Sequence, residues 1–300
     1  MSASENTASD ATAPLFADGK GRPIAAPDFG GVPVADTHAH LDMLEDPTAA
    51  LANAARAGIG FVATVADPSE DAARSYEELG AWLEYAVAQL PAGTTLPAVR
   101  VILGVHPHNA KDFSPEVESL MRTLAADPLT CAVGEIGLDY HYDYSPRDVQ
   151  RAVFRRQLEL AHELALPAVV HLREAHEDGE AILREVGIPE AGCILHCYNL
   201  GPEPMRPFLE LGCYVSLAGP VTFKKSDEIR EAAALIPADR LLTETDCPFM
   251  APEPFRGRKN EPALTLFTAA RIAEARGEAL PEFARTAYAN ALRVLDQERS

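Results

Sequence analysis

Disulfide scaffolds, membrane spans and surfaces rich in basic charge are all missing from this chain, and each absence narrows what it can be. Its five cysteines, at 131, 193, 197, 213 and 247, are an odd number. Cys193 and Cys197 have neither zinc-finger spacing nor a second pair. Buried reduced thiols of a cytosolic protein are the reading that fits. No stretch of about 18 apolar residues occurs, and no apolar leader core opens the chain. A soluble, cytoplasmic protein with no membrane partner and no obligate protein partner is expected. Basic residues are scarce, 26 Lys and Arg against 45 Asp and Glu, for a net charge of −19. That balance argues against a tight electrostatic grip on long duplex nucleic acid, which releases its counterions to basic patches.

What remains is ample for one large core. Of 300 residues, 47% are hydrophobic and 24% charged. Residues 1 to about 30 are rich in Ala, Ser, Thr, Asp, Pro and Gly without apolar periodicity, and read as a disordered tail. From 31 to 300 strand and helix patterns alternate. Short apolar runs at 32–38, 59–66, 98–105, 131–136, 167–172, 192–198, 213–218 and 240–246 read as buried parallel strands. Helical patterns fill the gaps at 47–57, 69–90, 114–126, 146–164, 176–186, 202–211, 226–235 and 261–276, with a last one near 281–296. Eight strands alternating with helices predict a single α/β domain, a (β/α)8 TIM barrel.

Residues of metal-ligand type stand at the ends of five of these runs. They are His38 and His40 in VPVADTHAHLD, Glu135 in CAVGEIGLDY, His171 in PAVVHLRE, His196 in CILHCYN and Asp246 in LLTETDCP. The carboxyl ends of barrel strands converge on one face, so these side chains are expected to share one cavity. His38 and His40 are two apart and point the same way on an extended chain. Imidazole and carboxylate suit zinc, manganese, cobalt or magnesium to differing degrees. Six such ligands exceed what one catalytic ion uses, and suit two divalent ions roughly 3.5–4 Å apart sharing a carboxylate.

With those residues in place, the chain resembles the TatD family of metal-dependent deoxyribonucleases, within the amidohydrolase-like TIM-barrel superfamily. The matching segments are DTHAHLD at 36–42, GVHPH at 104–108, GEIGLDY at 134–140 and VVHLREA at 169–175. ILHCY at 194–198, GPVTFK at 219–224, TETDCP at 243–248 and RGRKNEP at 256–262 continue the series. Together they span about 36 to 290. Ala39 stands where the family usually has Cys, which leaves ligation untouched. Tyr198-Asn199-Leu200-Gly201 replaces the usual Phe-Ser-Gly-Ser and alters a loop beside the site.

The resemblance implies a metal-dependent hydrolase cleaving phosphodiester bonds at single-stranded DNA ends, or RNA ends, by a two-metal mechanism. One ion would rest on His38, His40 and Asp246 and the other on His171 and His196, with Glu135 bridging. Asp246 would accept the proton of the attacking water. An esterase or deacylase, such as one acting on D-aminoacyl-tRNA, is the competing activity. His108, Arg173 and Arg256 are the expected substrate contacts. Pro107 is expected to keep His106 and His108 on an extended chain aimed outward, and Arg173 shares the His171 side of its strand. Arg256 opens a basic loop where barrels often hold phosphate; Lys259 in the same loop reads as a solvated charge. Glu244 is expected to support the ligands from behind, and Asp139 to brace a loop or touch substrate. His141, His162 and His176 read as surface residues.

Overall fold

In the computed structural model, which describes residues 14–70 and 72–297, eight parallel strands form one sheet. They are β1 (Val34–Ala39), β2 (Ile59–Ala66), β3 (Ala98–Leu103) and β4 (Thr130–Asp139), then β5 (Ala168–Arg173), β6 (Cys193–Leu195), β7 (Tyr214–Leu217) and β8 (Leu241–Thr243). Each pairs with the next in chain order. The circle is drawn shut between β8 and β1 by side chains and backbone together. Thr243 Oγ1 donates to the Ala35 carbonyl (2.8 Å), Thr37 Oγ1 donates to the Thr243 carbonyl (3.1 Å), and Ala39 bridges Cys247. The barrel predicted from the alternating pattern is the fold found.

Helices cover the outside: α1 (Pro47–Ala57), α2 (Ala72–Ala88), α3 (Pro115–Leu124), α4 (Arg147–Leu164), α5 (His176–Val186), α6 (Pro202–Glu210), α7 (Asp227–Leu235), α8 (Thr265–Arg276) and α9 (Leu280–Leu295). Their ends carry the expected punctuation. The Asp46 side chain caps α1 by accepting from Ala49 N, Pro47 occupies the first turn, and Gly58 ends it at φ 80°. Two cores result. Between barrel and helices lies one; inside the barrel Phe61, Ala63, Ile102, Val169, Ile194 and Leu242 form the other. Each large side chain buried there contributes roughly 1.5–3 kcal/mol. Ala291, Val294 and Leu295 of α9 join the inner cluster, and Asp296 pairs with Arg100 near the start of β3 (2.6 Å). The end of α9 thus seals the barrel opposite the strand carboxyl ends.

Three expectations need correction. Strands predicted to reach 198 and 246 stop earlier, because Cys197 and Asp246 adopt φ values of 47° and 56° that no strand can continue. His196 and Asp246 therefore sit just past their strands. Pro107 does not extend the chain: it opens a 3-10 turn over Pro107–Asp112, with His106 as its cap. Of the tail expected over 1–30, residues 1–13 lie outside the described residues, while the part from Leu15 onward packs on the barrel. Phe16 is 3% exposed and meets Phe267 edge-on at 5.1 Å, and Arg258 donates to the Ala17 carbonyl (2.6 Å). Phe16 and Phe29, both buried and without periodicity, hold a segment whose composition reads as disordered.

Candidate metal centre

The barrel's carboxyl face gathers all six ligand-type residues around Glu135, which is 3% exposed. Its two oxygens face different groups. Oε2 lies 3.2 Å from His38 Nε2 and 3.8 Å from His40 Nε2. Oε1 lies 2.7 Å from both His171 Nδ1 and His196 Nε2, and 3.5 Å from His106 Nε2. Asp246 Oδ1 completes the first side, 3.3 Å from His40 Nε2 and 3.9 Å from His38 Nε2. His38 and His196 stack at 4.0 Å.

Glycine makes this convergence possible. A Cβ on Gly104 would stand 2.7 Å from the Gly134 backbone, and one on Gly134 would stand 2.7 Å from the Val169 side chain, so β3, β4 and β5 approach closely because both positions are glycine. Gly137 has φ +141°, and a Cβ on it would fall 2.0 Å from the His171 carbonyl oxygen. These glycines bring β4 against β3 and β5 and so set Glu135 between the two groups of histidines.

The chemistry of the donor set suits a divalent cation. Among the described residues, His38, Glu135 and His196, then His38, His40 and Asp246, then His106, Glu135 and His171 form overlapping groups with ligand atoms within 4.8 Å of one another. His171 Nδ1 and His196 Nε2 are 3.2 Å apart, each 2.7 Å from the same Glu135 oxygen. Two imidazole nitrogens converging on one carboxylate oxygen are a donor set that a divalent cation can use. Burial, and the neighbouring carboxylates, push the thiols of Cys197 and Cys247 well up, so nitrogen and oxygen form the donor set rather than sulfur.

Burial works against charge on Glu135, yet His196, His106 and His38 hold its carboxyl well below the usual range. Burial likewise opposes ionisation of Asp246, but the hydrogen bond and charge of His40 keep it low. Both carboxyls are therefore anionic at neutral pH. Burial lowers His106 to about 4, leaving a neutral imidazole with a lone pair to offer.

A second layer fixes these ligands. Glu244, fully buried, lies 3.4 Å from His196 Nδ1 and accepts the Cys197 backbone N–H at 2.6 Å; the supporting role expected of it has a matching contact. Asp139 Oδ2 lies 3.3 Å from His171 Nε2 and 2.9 Å from His108 Nε2. Its Oδ1 accepts from the N–H groups of His141 and Tyr142, so it braces both His171 and a loop.

Of the expected substrate contacts, His108 joins the cluster through Asp139, which it shares with His171. Arg173 lays its guanidinium 4.7 Å over the Tyr142 ring. Arg256 is exposed and covers Phe223 at 4.2 Å. Lys259 pairs with Glu45 on the surface, as a solvated charge should. His176 is not at the surface as expected: it is largely buried against Tyr198 and Phe208, and burial lowers it to about 4.

Sequence reading missed two supports. Asp36 is fully buried, accepting from Thr245 N (2.8 Å) and Thr245 Oγ1 (2.6 Å), and ties β1 to the Asp246 turn. Burial pushes its carboxyl up to about 8. Asn260, grouped by sequence with the basic loop, is buried and donates to the carbonyls of Thr245 and Phe249 (2.9 and 2.7 Å), clamping the same turn. A polar residue inside an apolar run, in Asp36, was the available signal. Asn260 offered none.

A parallel eight-stranded barrel whose carboxyl face holds clustered imidazoles and carboxylates defines a metal-dependent hydrolase. The family described as TatD related DNase matches residues 35–296, and the chain belongs to it. It is 43% identical over 192 residues to an uncharacterized metal-dependent hydrolase, YabD, of Bacillus subtilis, covering 64% of this chain and 75% of that one. It is 40% identical over 187 residues to the 3'-5' ssDNA/RNA exonuclease TatD of Pantoea vagans, covering 60% and 72%. Among solved structures, the TatD homolog YjjV of Escherichia coli superposes with a TM-score of 0.76 at 28% identity, over 89% of this chain and all of that one. No helix among the described residues is long and apolar enough to cross a membrane.

Proposed function

We propose that the chain is a two-metal phosphodiesterase that trims the ends of single-stranded DNA, and of RNA by the same chemistry. The observation that carries this reading is the division of Glu135: Oε2 toward His38 and His40, Oε1 toward His171 and His196. One divalent ion would be held by His38, His40 and Asp246, the other by His171 and His196, with Glu135 spanning both. When bound, such ions lower the pKa of water and neutralise charge developing on phosphate oxygens. Asp246, anionic and hydrogen-bonded to His40, takes the proton released as water attacks phosphorus. His108 and Arg173 border the cavity and meet the substrate's phosphates. Arg256 serves the same purpose farther out.

The naming of a relative as a single-strand exonuclease supports the substrate class. So does the charge of −19, which gives no general grip on duplex. Buried thiols at Cys131, Cys193, Cys213 and Cys247 support a cytoplasmic setting. The test uses protein stripped of metal and reloaded singly with zinc, manganese, cobalt or magnesium. Each form is offered 3'-labelled single-stranded DNA, covalently closed duplex and D-aminoacyl-tRNA. Release of nucleotides from the single strand by at least one form, well ahead of duplex, is expected. Hydrolysis confined to the aminoacyl ester would replace this reading with the deacylase.

A further inference from the structure

On the loop after β4, Tyr142 and Tyr144 stand 46% and 58% exposed with their rings stacked, centroids 5.2 Å apart and 14° from parallel. Exposed tyrosines alone are ordinary. What sets these apart is how firmly they are held and what they adjoin. Asp143 between them takes φ 51°, a turn that lets the flanking rings meet. Its carboxylate is gripped at two points by Arg147, at 2.8 Å each. Upstream, Asp139 Oδ1 accepts from the backbone of His141 and Tyr142. Downstream, buried Ser145 donates to the His108 carbonyl (2.7 Å), and its own carbonyl accepts from Gln150 (2.8 Å). The loop is therefore built to hold a stacked aromatic pair at the surface.

The place they occupy is equally specific. His108 meets Tyr142 and Tyr144 edge-on, at 5.4 and 4.8 Å, and shares Asp139 Oδ2 with His171. The aromatic pair thus begins one side chain away from the ligand cluster. Arg173 supplies a cation over Tyr142. At the other end of Glu135, Phe249 is half exposed, 6.0 Å from the His40 ring. Aromatic faces flank the centre on both sides.

We propose that the Tyr142–Tyr144 pair is a stacking platform for an unpaired nucleobase next to the phosphate being cut, with Tyr144 presenting its open face to the base. This rests on the single-strand reading above and supplies its physical cause. Every base has a π face, so stacking tolerates any sequence. A base inside a duplex has both faces covered by its neighbours, so the platform takes single strands. Stacking also provides hold where the surface offers little positive charge.

The test is steady-state cleavage of a single-stranded oligonucleotide by metal-loaded enzyme: wild type, Tyr144→Ala and Tyr144→Phe, each checked for fold and metal content. A second oligonucleotide carries abasic residues at its terminal positions. Tyr144→Ala is expected to raise KM roughly 5- to 150-fold, the range of one lost stacked base, with kcat within about threefold. Tyr144→Phe restores KM, and abasic strands give the wild type the KM of the Ala variant. Cleavage by the wild type with no KM change in Tyr144→Ala overturns the platform and leaves the nuclease reading standing. So does an equal loss on normal and abasic strands. Failure of the wild type on every oligonucleotide overturns both.

Discussion

Replacing Glu135 by Gln separates a bridging carboxylate from an ordinary ligand. Gln keeps the volume and one oxygen, but it removes the charge and turns an NH2 group toward one set of imidazoles. The side chain is 3% exposed and stands 2.7 Å from His171 and His196 and 3.2 Å from His38, so there is no room for an alternative rotamer to hide the change. Without metal, the attraction of the histidines already outweighs desolvation of the carboxylate, so removing the charge should cost about 3 kcal/mol of stability. With metal the difference is larger. Ions at 100 times their dissociation constant stabilise the wild type by about 2.7 kcal/mol per site, and a bridge serves both sites at once. The variant should therefore lose most metal-induced thermal stabilisation, bind fewer ions per chain by elemental analysis, and turn over at least ~10³-fold slower, about 4 kcal/mol. A folded variant with the wild-type metal content and kcat within about threefold would refute the bridging assignment.

Asp246→Asn should lower kcat by about 10²–10⁴ while KM moves little, provided metal content is intact, because the proton acceptor is lost and the shape kept; a raised KM at unchanged kcat would place Asp246 in binding instead. Gly137→Ala should destabilise the barrel by about 3 kcal/mol or more, since its Cβ would fall 2.0 Å from the His171 carbonyl oxygen at a backbone angle reserved for glycine; chemical denaturation showing under 1 kcal/mol would contradict this. Arg156 of α4 holds Glu118 of α3 with two hydrogen bonds, 2.6 and 2.9 Å, and, with Arg122 helping, lowers its carboxyl from 4.5 to about 2. A folded value below the unfolded one means stability present above about pH 4.5 and lost as pH falls toward 2. Arg156→Ala should therefore cost about 1 kcal/mol at pH 7, after allowing for solvent screening, and less at pH 3.5; urea titrations giving the same difference at both would exclude the mechanism.

The barrel was legible because its signals are local and repeated. α1 and α5 fall on the residues expected from sequence pattern, 47–57 and 176–186. Strand interiors were equally plain, since both faces are buried and the runs are continuously apolar. The ends misled where backbone conformation, not hydrophobicity, decides. Cys197 and Asp246 look like the continuation of a strand by residue type, yet both turn left-handed to aim the adjoining ligands inward. Phe16 is the reverse case. Its neighbours carry no periodicity, and its burial depends on Phe255 and Phe267, which lie more than two hundred residues away in sequence.

The ligand cluster was legible for a related reason: a charged or imidazole side chain ending an apolar run has few uses except at the barrel's open face. The supports were less so. Glu244 could be placed near the cluster by strand alternation with Asp246, but which atoms it and Asp139 touch depends on how neighbouring strands are staggered, and the register shift between Gly134 and Ile136 in the β4–β5 pairing is not written in either strand alone. The platform tyrosines show the same limit. In sequence Tyr142 and Tyr144 are two polar-flanked aromatics in a loop. Only the left-handed turn at Asp143 and the position of His108 bring them together beside the centre. Residues of metal-ligand type thus announce themselves by chemical character, whereas the proposed substrate contacts are set by geometry, and it is the second group that would decide whether this hydrolase acts on nucleic acid ends or on another ester.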